Sequence, residues 1–285
     1  MTDRISILQC PRCRGALSTE AASGIHCKIC QSIFPILSNK ARSIVFFKSD
    51  FCTEVGLVSD PFINWFKSVL KRYDLLYVLI ANIFGASNVG LAPRSFIKKF
   101  LNKNSLILNL GSGYLRSQRP NELLVDIQPF SNVNLVADMS ILPIKDGQID
   151  GVYSCSVLEH VSDPIKAVAE IFRVLKPGGR VYVTVPFLVP YHSSPCDYQR
   201  WTLEGVKALF KGFKILKIGV RHGPTSAMLS VIVSWLATLL SFGSFRVFGF
   251  IQTILTLLLM PSAHVMDTFI GRIPTASVTA FGFYI

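Results

Sequence analysis

Acidic side chains are scarce in this 285-residue chain, with 17 Asp and Glu against 29 Lys and Arg and a formal charge of +12. A surface so basic attracts nucleic acid and anionic lipid alike, so charge by itself selects no partner. The imbalance is uneven. Residues 1–104 hold fourteen basic and six acidic side chains, a surplus of +8, whereas residues 105–222 carry +3 and residues 223–285 only +1. Charge is missing altogether from Gly223 to Phe245 and again from Val247 to Met266, with Arg246 between the two runs. Met1–Gln9, mixed in character and followed by a different motif at Cys10, does not read as a secretory leader, so a disulfide framework is not expected. The hydrophobic share of 50%, with a mean hydropathy of +0.44, is high for a soluble enzyme. The length suffices for one large domain or two small ones.

What is present is concentrated between Leu106 and Gly179. The apolar run SLILNL enters the turn Gly111-Ser112-Gly113, where missing side chains let backbone N–H groups approach a ligand. A second run, LLVD, ends in Asp126, whose carboxylate can accept hydrogen bonds from a ribose diol. A third, VNLVAD, ends in Asp138. Then follow IDGVYSCSVLEHV, a helical stretch to Leu175, the turn Lys176-Pro177-Gly178-Gly179 and a further strand, RVYVTVPF. This is the order a nucleotide-cofactor site needs.

The series LNLGSG, VDI, AD followed by LPIKDGQIDGVYSCSVLEHV, and EIFRVLKPGG resembles the class I S-adenosylmethionine-dependent methyltransferases of the broad type-11 group, over residues 104–213. That resemblance implies a Rossmann-like α/β sheet of seven strands, the last antiparallel. It also implies that Gly111, Ser112 and Gly113 cradle the methionine end of the cofactor. Asp126, beside Ile127, would hold the ribose, Asp138 would read the adenine amine, and Met139 would pack beside the ring. Asn109 and Ser154 complete the implied set. Two departures stand out. Asn109 replaces the usual Asp or Glu, which weakens or water-bridges contact with the cofactor's amino group. About a dozen residues separate Gly113 from Asp126, and again Asp126 from Asp138, too few for a full crossover helix. A cofactor half trimmed in this way resembles methyltransferases of polysaccharide and lipid-linked sugar pathways.

Cys10-Pro11-Arg12-Cys13 and Cys27-Lys28-Ile29-Cys30 are two CxxC knuckles, a spacing that predicts a closed tetrahedral zinc site. A segment of ~40 residues has too small a core to fold alone, so zinc would act as a structural staple. With the IFPI segment, it resembles the zinc-ribbon module of activator subunits of RNA and protein methyltransferases. Cys52, Cys155 and Cys196 fit no ligand spacing and read as ordinary thiols.

FKILKIGV reads as strand 6 and SVTAFGFYI as antiparallel strand 7, with roughly fifty residues between them holding the two uncharged runs. Each run lies at the lower edge of the ~20 apolar residues that cross a bilayer. A buried helical pair and an apolar membrane hairpin are both open readings; Trp235, Phe242, Phe245, Phe248 and Phe250 suit a lipid interface. Such an insertion would leave the domain at the carboxyl edge of the strands. Leu75–Ala92, bracketed by Lys67, Lys71, Arg72, Arg94, Lys98 and Lys99, reads as a second apolar segment covering the same edge.

Methyl transfer is a displacement dominated by positioning, and a hydroxyl acceptor adds the need for a base. Candidates are Glu159 and His160 after strand 4, and the loop after strand 5 with Tyr191, His192, Asp197, Tyr198, Arg200 and Trp201. In one reading Asp197 orients His192 as the base; in the other Asp197 and Arg200 pin the loop and His160 satisfies a helix terminus. The resulting division is a zinc ribbon over 1–45, a basic and apolar helical cover over 46–104, and a methyltransferase domain over 105–285 with 224–270 as its apolar insertion. The expected protein is a methyltransferase at the cytoplasmic face of a membrane, acting on a lipid-linked or apolar acceptor such as a saccharide hydroxyl. An RNA methyltransferase and a non-catalytic membrane scaffold are the alternatives; the first lacks an aromatic-and-basic stripe for base stacking.

Overall fold

The computed structural model describes residues 5–20, 24–37, 44–46, 83–114, 117, 119–192 and 196–285. Most of the apolar run from Leu75, together with Lys67, Lys71, Arg72 and Cys52, lies outside them. The chain divides into two compact units, one of residues 1–50, 93–157 and 163–183, the other of residues 51–92, 158–162 and 184–285.

The first unit begins with a three-stranded antiparallel sheet, β1 (Leu17–Glu20), β2 (Gly24–Cys27) and β3 (Ile33–Phe34). Its two knuckles close alike: Arg14 N–H donates to the Cys10 carbonyl at 2.8 Å and Gln31 N–H to the Cys27 carbonyl at 3.1 Å. Arg14 and Gln31 both sit in the left-handed region, φ 59 and 58, which turns the chain back after each second cysteine. Leu8, bridged to Ile144 and buried with it, ties this module to the larger sheet through Gln9 N–H to Pro143 O and Lys145 N–H to Ile7 O.

That larger sheet takes β4 (Ile44–Val45), β5 (Ile107–Leu110), β6 (Glu122–Asp126), β7 (Leu135–Val136), β8 (Ile149–Cys155) and the start of β9 (Leu175–Pro186), in the order β9-β8-β5-β6-β7-β4. β5 pairs in parallel with β6 and β8, β6 with β7, and β7 with β4. Every residue of β5 and β6 is buried, as expected of parallel strands covered on both faces. The β4 edge strand is an addition to the seven expected: two residues next to the ribbon extend the sheet, a segment too short to show a strand pattern. No helix joins β5 to β6 or β6 to β7 among the described residues. α1 (Pro93–Phe100) buries Phe96 against Tyr182 of β9, ring centroids 5.4 Å apart. The crossover from β8 to β9 is α2 (Pro164–Val174), capped by Asp163 accepting from Lys166 N–H and burying Ala167, Val168, Ile171 and Val174.

In the second unit, Pro186 at the end of β9 pairs with Gly282 of β11 (Gly282–Tyr284), and Gly282 pairs with His222 of β10 (Gly219–His222), both pairings antiparallel. α3 (Leu203–Leu209) starts at its Thr202 cap. Strands 6 and 7 are shorter than expected: residues 214–218 are irregular, and Pro274–Val278 is a 3-10 turn. Between them stand α4 (Pro224–Leu240) and α5 (Phe245–Ile270). Asp267 near the end of α5 accepts the Thr225 and Ser226 N–H groups at the start of α4, at 2.8 and 3.1 Å, and so clamps the base of the hairpin. A Cβ on Gly223 would lie 2.1 Å from the Asp267 carboxyl carbon, so the clamp requires glycine there. Ala227, Val233 and Ala237 of α4 and Gly249, Met260 and Ala263 of α5 are buried, whereas Trp235, Phe245, Phe250 and Leu258 are exposed and Phe242 at the tip is 95% exposed. The buried positions are mostly small, with Val233 and Met260 as the larger members, and most of the bulky apolar side chains face outward.

Candidate active site

In the first unit the parallel register brings the expected cofactor residues to one edge. Leu110 lies opposite both Val125 and Ser154, and Asp126 opposite Val136. The carboxyl ends of β5, β6, β7 and β8 are thus neighbours, with Asn109, the glycine turn, Asp126–Ile127, Asp138–Met139 and Ser154 at or just beyond them. Asn109 and Met139 are buried, Ile127 is half-buried, and Ser154 Oγ donates to the Leu110 carbonyl at 3.1 Å.

The turn itself departs from expectation. Gly111 and Ser112 N–H groups both donate to the Val125 carbonyl, at 2.8 and 3.1 Å, and Gly113 N–H donates to Asp126 Oδ2 at 2.8 Å. Among the described residues no helix stands between β5 and β6, and the turn's donors bond to the end of β6. Nor is the space beside Gly111 free. A Cβ there would meet Val157 Cγ2 at 2.3 Å, and the φ of 70 disfavours any side chain. Gly113, φ 54, has nothing within 4 Å of a Cβ position. Beside it Ser112 Oγ is buried and, among the described residues, without a hydrogen-bond partner. A buried polar atom next to an open glycine fits a polar ligand.

Asp126 is 9% exposed and accepts from Gly113 and Gln128 N–H groups, the latter at 2.9 Å. Burial raises its pKa above the usual carboxylate value, against the pull of these bonds. Asp138 Oδ1 accepts from Ser140 N–H at 2.8 Å and Ser140 Oγ at 2.6 Å, which leaves Oδ2 for other contacts.

The second unit holds the acid–base candidates. Glu159 and His160 form a 3-10 turn, and Glu159 O accepts from Tyr198 N–H at 2.8 Å, which holds the loop after β9 against that turn. Asp197 accepts from His192 N–H at 2.8 Å and both Arg200 Nη atoms. His192 Nδ1 stands 3.6 Å from Asp197 Oδ2 but 3.1 Å from the Pro190 carbonyl. Asp197 therefore pins the loop with Arg200 and does not hydrogen-bond the imidazole, because the backbone N–H of His192 already takes that oxygen. Burial pushes Asp197 up, and Arg200 with the His192 N–H outweighs it, so its carboxyl titrates below the usual range. Cys196 is disulfide-bonded rather than an ordinary thiol, a pairing that spacing along the chain does not reveal.

Glu159 is the residue whose importance the sequence understated. It is fully buried, neither carboxylate oxygen has a hydrogen-bond partner among the described residues, and burial lifts its pKa to about 7. Burial likewise lowers the pKa of His160, whose Nδ1 bonds the Cys196 carbonyl. His192 Nε2 lies 4.0 Å from Glu159 Oε1, and the two imidazole rings meet edge-on at 5.4 Å.

In the ribbon, Cys10 Sγ and Cys30 Sγ are 3.6 Å apart and Cys13 Sγ and Cys27 Sγ 3.4 Å, with all four within 4.8 Å of one another. Ligands at ~2.3 Å from a tetrahedral ion stand about 3.8 Å apart, so the four sulfurs can hold one ion.

Residues 115–183 match the family model described as a methyltransferase domain. An uncharacterised chloroplastic methyltransferase of Arabidopsis thaliana is 36% identical over 116 residues, 39% of this chain and 32% of that protein. A ubiquinone/menaquinone biosynthesis C-methyltransferase of Serratia proteamaculans is 32% identical over 38% of this chain and 46% of its own length. The demethylmenaquinone methyltransferase of Chlamydia muridarum is 27% identical over 58% of this chain and 70% of its own length. The chain spans less than half the length of the first two relatives. The matched segment begins just after the glycine turn and ends within β9, so the likeness to a methyltransferase domain covers β6, β7, β8, α2 and most of β9.

Proposed function

We propose that the protein transfers the methyl group of S-adenosylmethionine to a lipid-linked or otherwise apolar acceptor, such as a saccharide hydroxyl, at the cytoplasmic face of a membrane. Ser112 Oγ and the open side of Gly113 would receive the methionine end, Asp126 the ribose diol, and Asp138 with Met139 the adenine. Asn109 and Ser154 line the same edge, with Asn109 supplying a neutral contact where an acid would be stronger. The cofactor supplies a sulfonium methyl, and the acceptor displaces the thioether from it. The protein's task is to position the acceptor, exclude water and take its proton. His192 Nε2 is the half-exposed lone pair available for that proton, with Glu159 and His160 behind it.

The observation that carries the membrane reading is the inside-out hairpin. A helical pair with mostly small residues on its buried faces and Trp235, Phe242, Phe245, Phe250 and Leu258 exposed suits lipid better than water. α5, at 26 residues, is long enough to cross a bilayer, and α4, at 17, falls short of the usual span. The register Pro186, Gly282, His222 puts the start of α4 at the end of the sheet from which the His192 loop departs. An apolar acceptor is also consistent with relatives named for methylation in quinone biosynthesis. The four cysteines would bind one structural zinc and so supply folding energy to a module with little core.

The test is flotation with liposomes. The full chain should float, and replacement of residues 226–268 by a short Gly-Ser linker should release it while S-adenosylmethionine still binds. A chain that stays in solution at moderate salt and binds RNA with a steep salt dependence would support the RNA methyltransferase instead.

A further inference from the structure

We propose that Glu159, His160 and His192 bind one divalent transition-metal ion, at a site separate from the four-cysteine cluster. Their three ligand atoms lie within 4.8 Å of one another. Ligands at ~2.0–2.2 Å from a common ion stand at most about 4.4 Å apart, so small side-chain adjustments complete the set.

Hydrogen bonding at the rings directs both imidazoles toward this use. His160 Nδ1 faces the Cys196 carbonyl and His192 Nδ1 the Pro190 carbonyl. A carbonyl cannot donate, so each Nδ1 carries the hydrogen and each Nε2 keeps its lone pair. Arg200 Nη2, 3.3 Å from His192 Nδ1, does not alter this. Its two hydrogens go to Pro190 O at 3.1 Å and Asp197 Oδ2 at 2.6 Å. A backbone carbonyl on the far nitrogen is the usual orientation device of a metal-ligating histidine.

Glu159 is the independent observation. Its carboxylate is fully buried, and both oxygens lack a hydrogen-bond partner among the described residues. The neighbouring cation does not serve it, since Arg200 is bound to Asp197 and to the carbonyls of Val189, Pro190 and Gln199. An ionised carboxylate left in this state is costly, and a cation removes the cost. Two imidazoles and one carboxylate suit zinc, iron, cobalt or manganese, and three protein ligands leave positions open for an oxygen ligand. His192, with 42% of its side chain exposed, marks the side from which that ligand would come. In the methyltransferase reading, on which only this role rests, the ion would bind the acceptor hydroxyl and lower its pKa, and the proton would pass to solvent at the exposed side of the site in place of the His192 lone pair.

Cobalt(II) is a suitable probe, added to the full-length protein with its cysteines already filled by zinc. One equivalent should bind and give visible d–d absorption without the intense near-ultraviolet thiolate-to-cobalt band. Glu159→Gln, close to isosteric, and His192→Ala, at a half-exposed position, should each weaken binding by about 100-fold or more, since even outer-shell partners are worth 10–100-fold. Circular dichroism should show both variants folded. No cobalt band, a thiolate band, or a band unchanged in both variants would overturn the site. Calorimetry of S-adenosylmethionine on the same samples reads the methyltransferase assignment separately: retained cofactor binding with no cobalt site defeats only the metal.

Discussion

Replacing Asp126 separates its service to the fold from its service to the cofactor. Its two oxygens accept Gly113 and Gln128 N–H groups at 2.8 and 2.9 Å in a site 9% exposed. Alanine would leave both donors without an acceptor, at ~1–3 kcal/mol each, a sizeable share of the ~5–15 kcal/mol that holds a domain folded. Asp126→Ala therefore reports largely on stability. Asp126→Asn keeps one carbonyl oxygen, should cost ~1–3 kcal/mol, and at 2–4 °C per kcal/mol should lower the melting temperature by about 2–12 °C. Toward the ribose, a neutral amide replaces a charged acceptor; a difference of ~1 kcal/mol per hydroxyl over two hydroxyls weakens cofactor binding by about 30-fold. Calorimetry with S-adenosylmethionine on the folded Asn variant measures this. Affinity within twofold of the parent would refute the ribose role. The pH dependence has a defined sign: because burial raises the folded-state pKa, the group's favourable contribution is complete below the ordinary Asp value and is lost as pH rises through the raised one. Asp126→Asn should remove that loss, so its destabilisation should shrink just above the usual carboxylate range.

Gly111→Ala should destabilise the fold by ~1–3 kcal/mol, because its Cβ meets Val157 and φ is 70, whereas Gly113→Ala, with open space, should cost only the ~1 kcal/mol of left-handed backbone yet impair cofactor binding more. Thermal melts set beside calorimetry distinguish the two, and equal melting temperatures would contradict the packing argument. Cys13→Ser should abolish the structural zinc, read by elemental analysis, and expose the N-terminal ~40 residues to protease while the parallel sheet stays folded. Protein purified without chelator and free of zinc would contradict the assignment.

The order of elements was legible because the parallel strands are short apolar runs ended by Gly, Asp or Ser, and because α2 carries its own cap and a clear helical stripe. The apolar hairpin was legible from its missing charge. Local pattern does not register which donors a turn bonds to, so the engagement of the Gly111 and Ser112 N–H groups by Val125 was hidden. The same holds for β4, whose two residues gain their strand conformation from pairing with β7. At the second cluster the sequence supplied His192, His160 and Asp197, but their roles depended on side-chain direction. Asp197 turns to Arg200, and Glu159, the acid of the run VLEHV, is the buried carboxylate without a hydrogen-bond partner among the described residues.

Transfer of a labelled methyl group from S-adenosylmethionine by the full-length protein in membranes, followed by partition between organic solvent and water, tests the central claim most directly. The label should enter the organic phase, depend on Asp126 and disappear when residues 226–268 are deleted. Label found in RNA, or transfer to the organic phase undiminished by the deletion, would contradict a membrane-borne apolar acceptor.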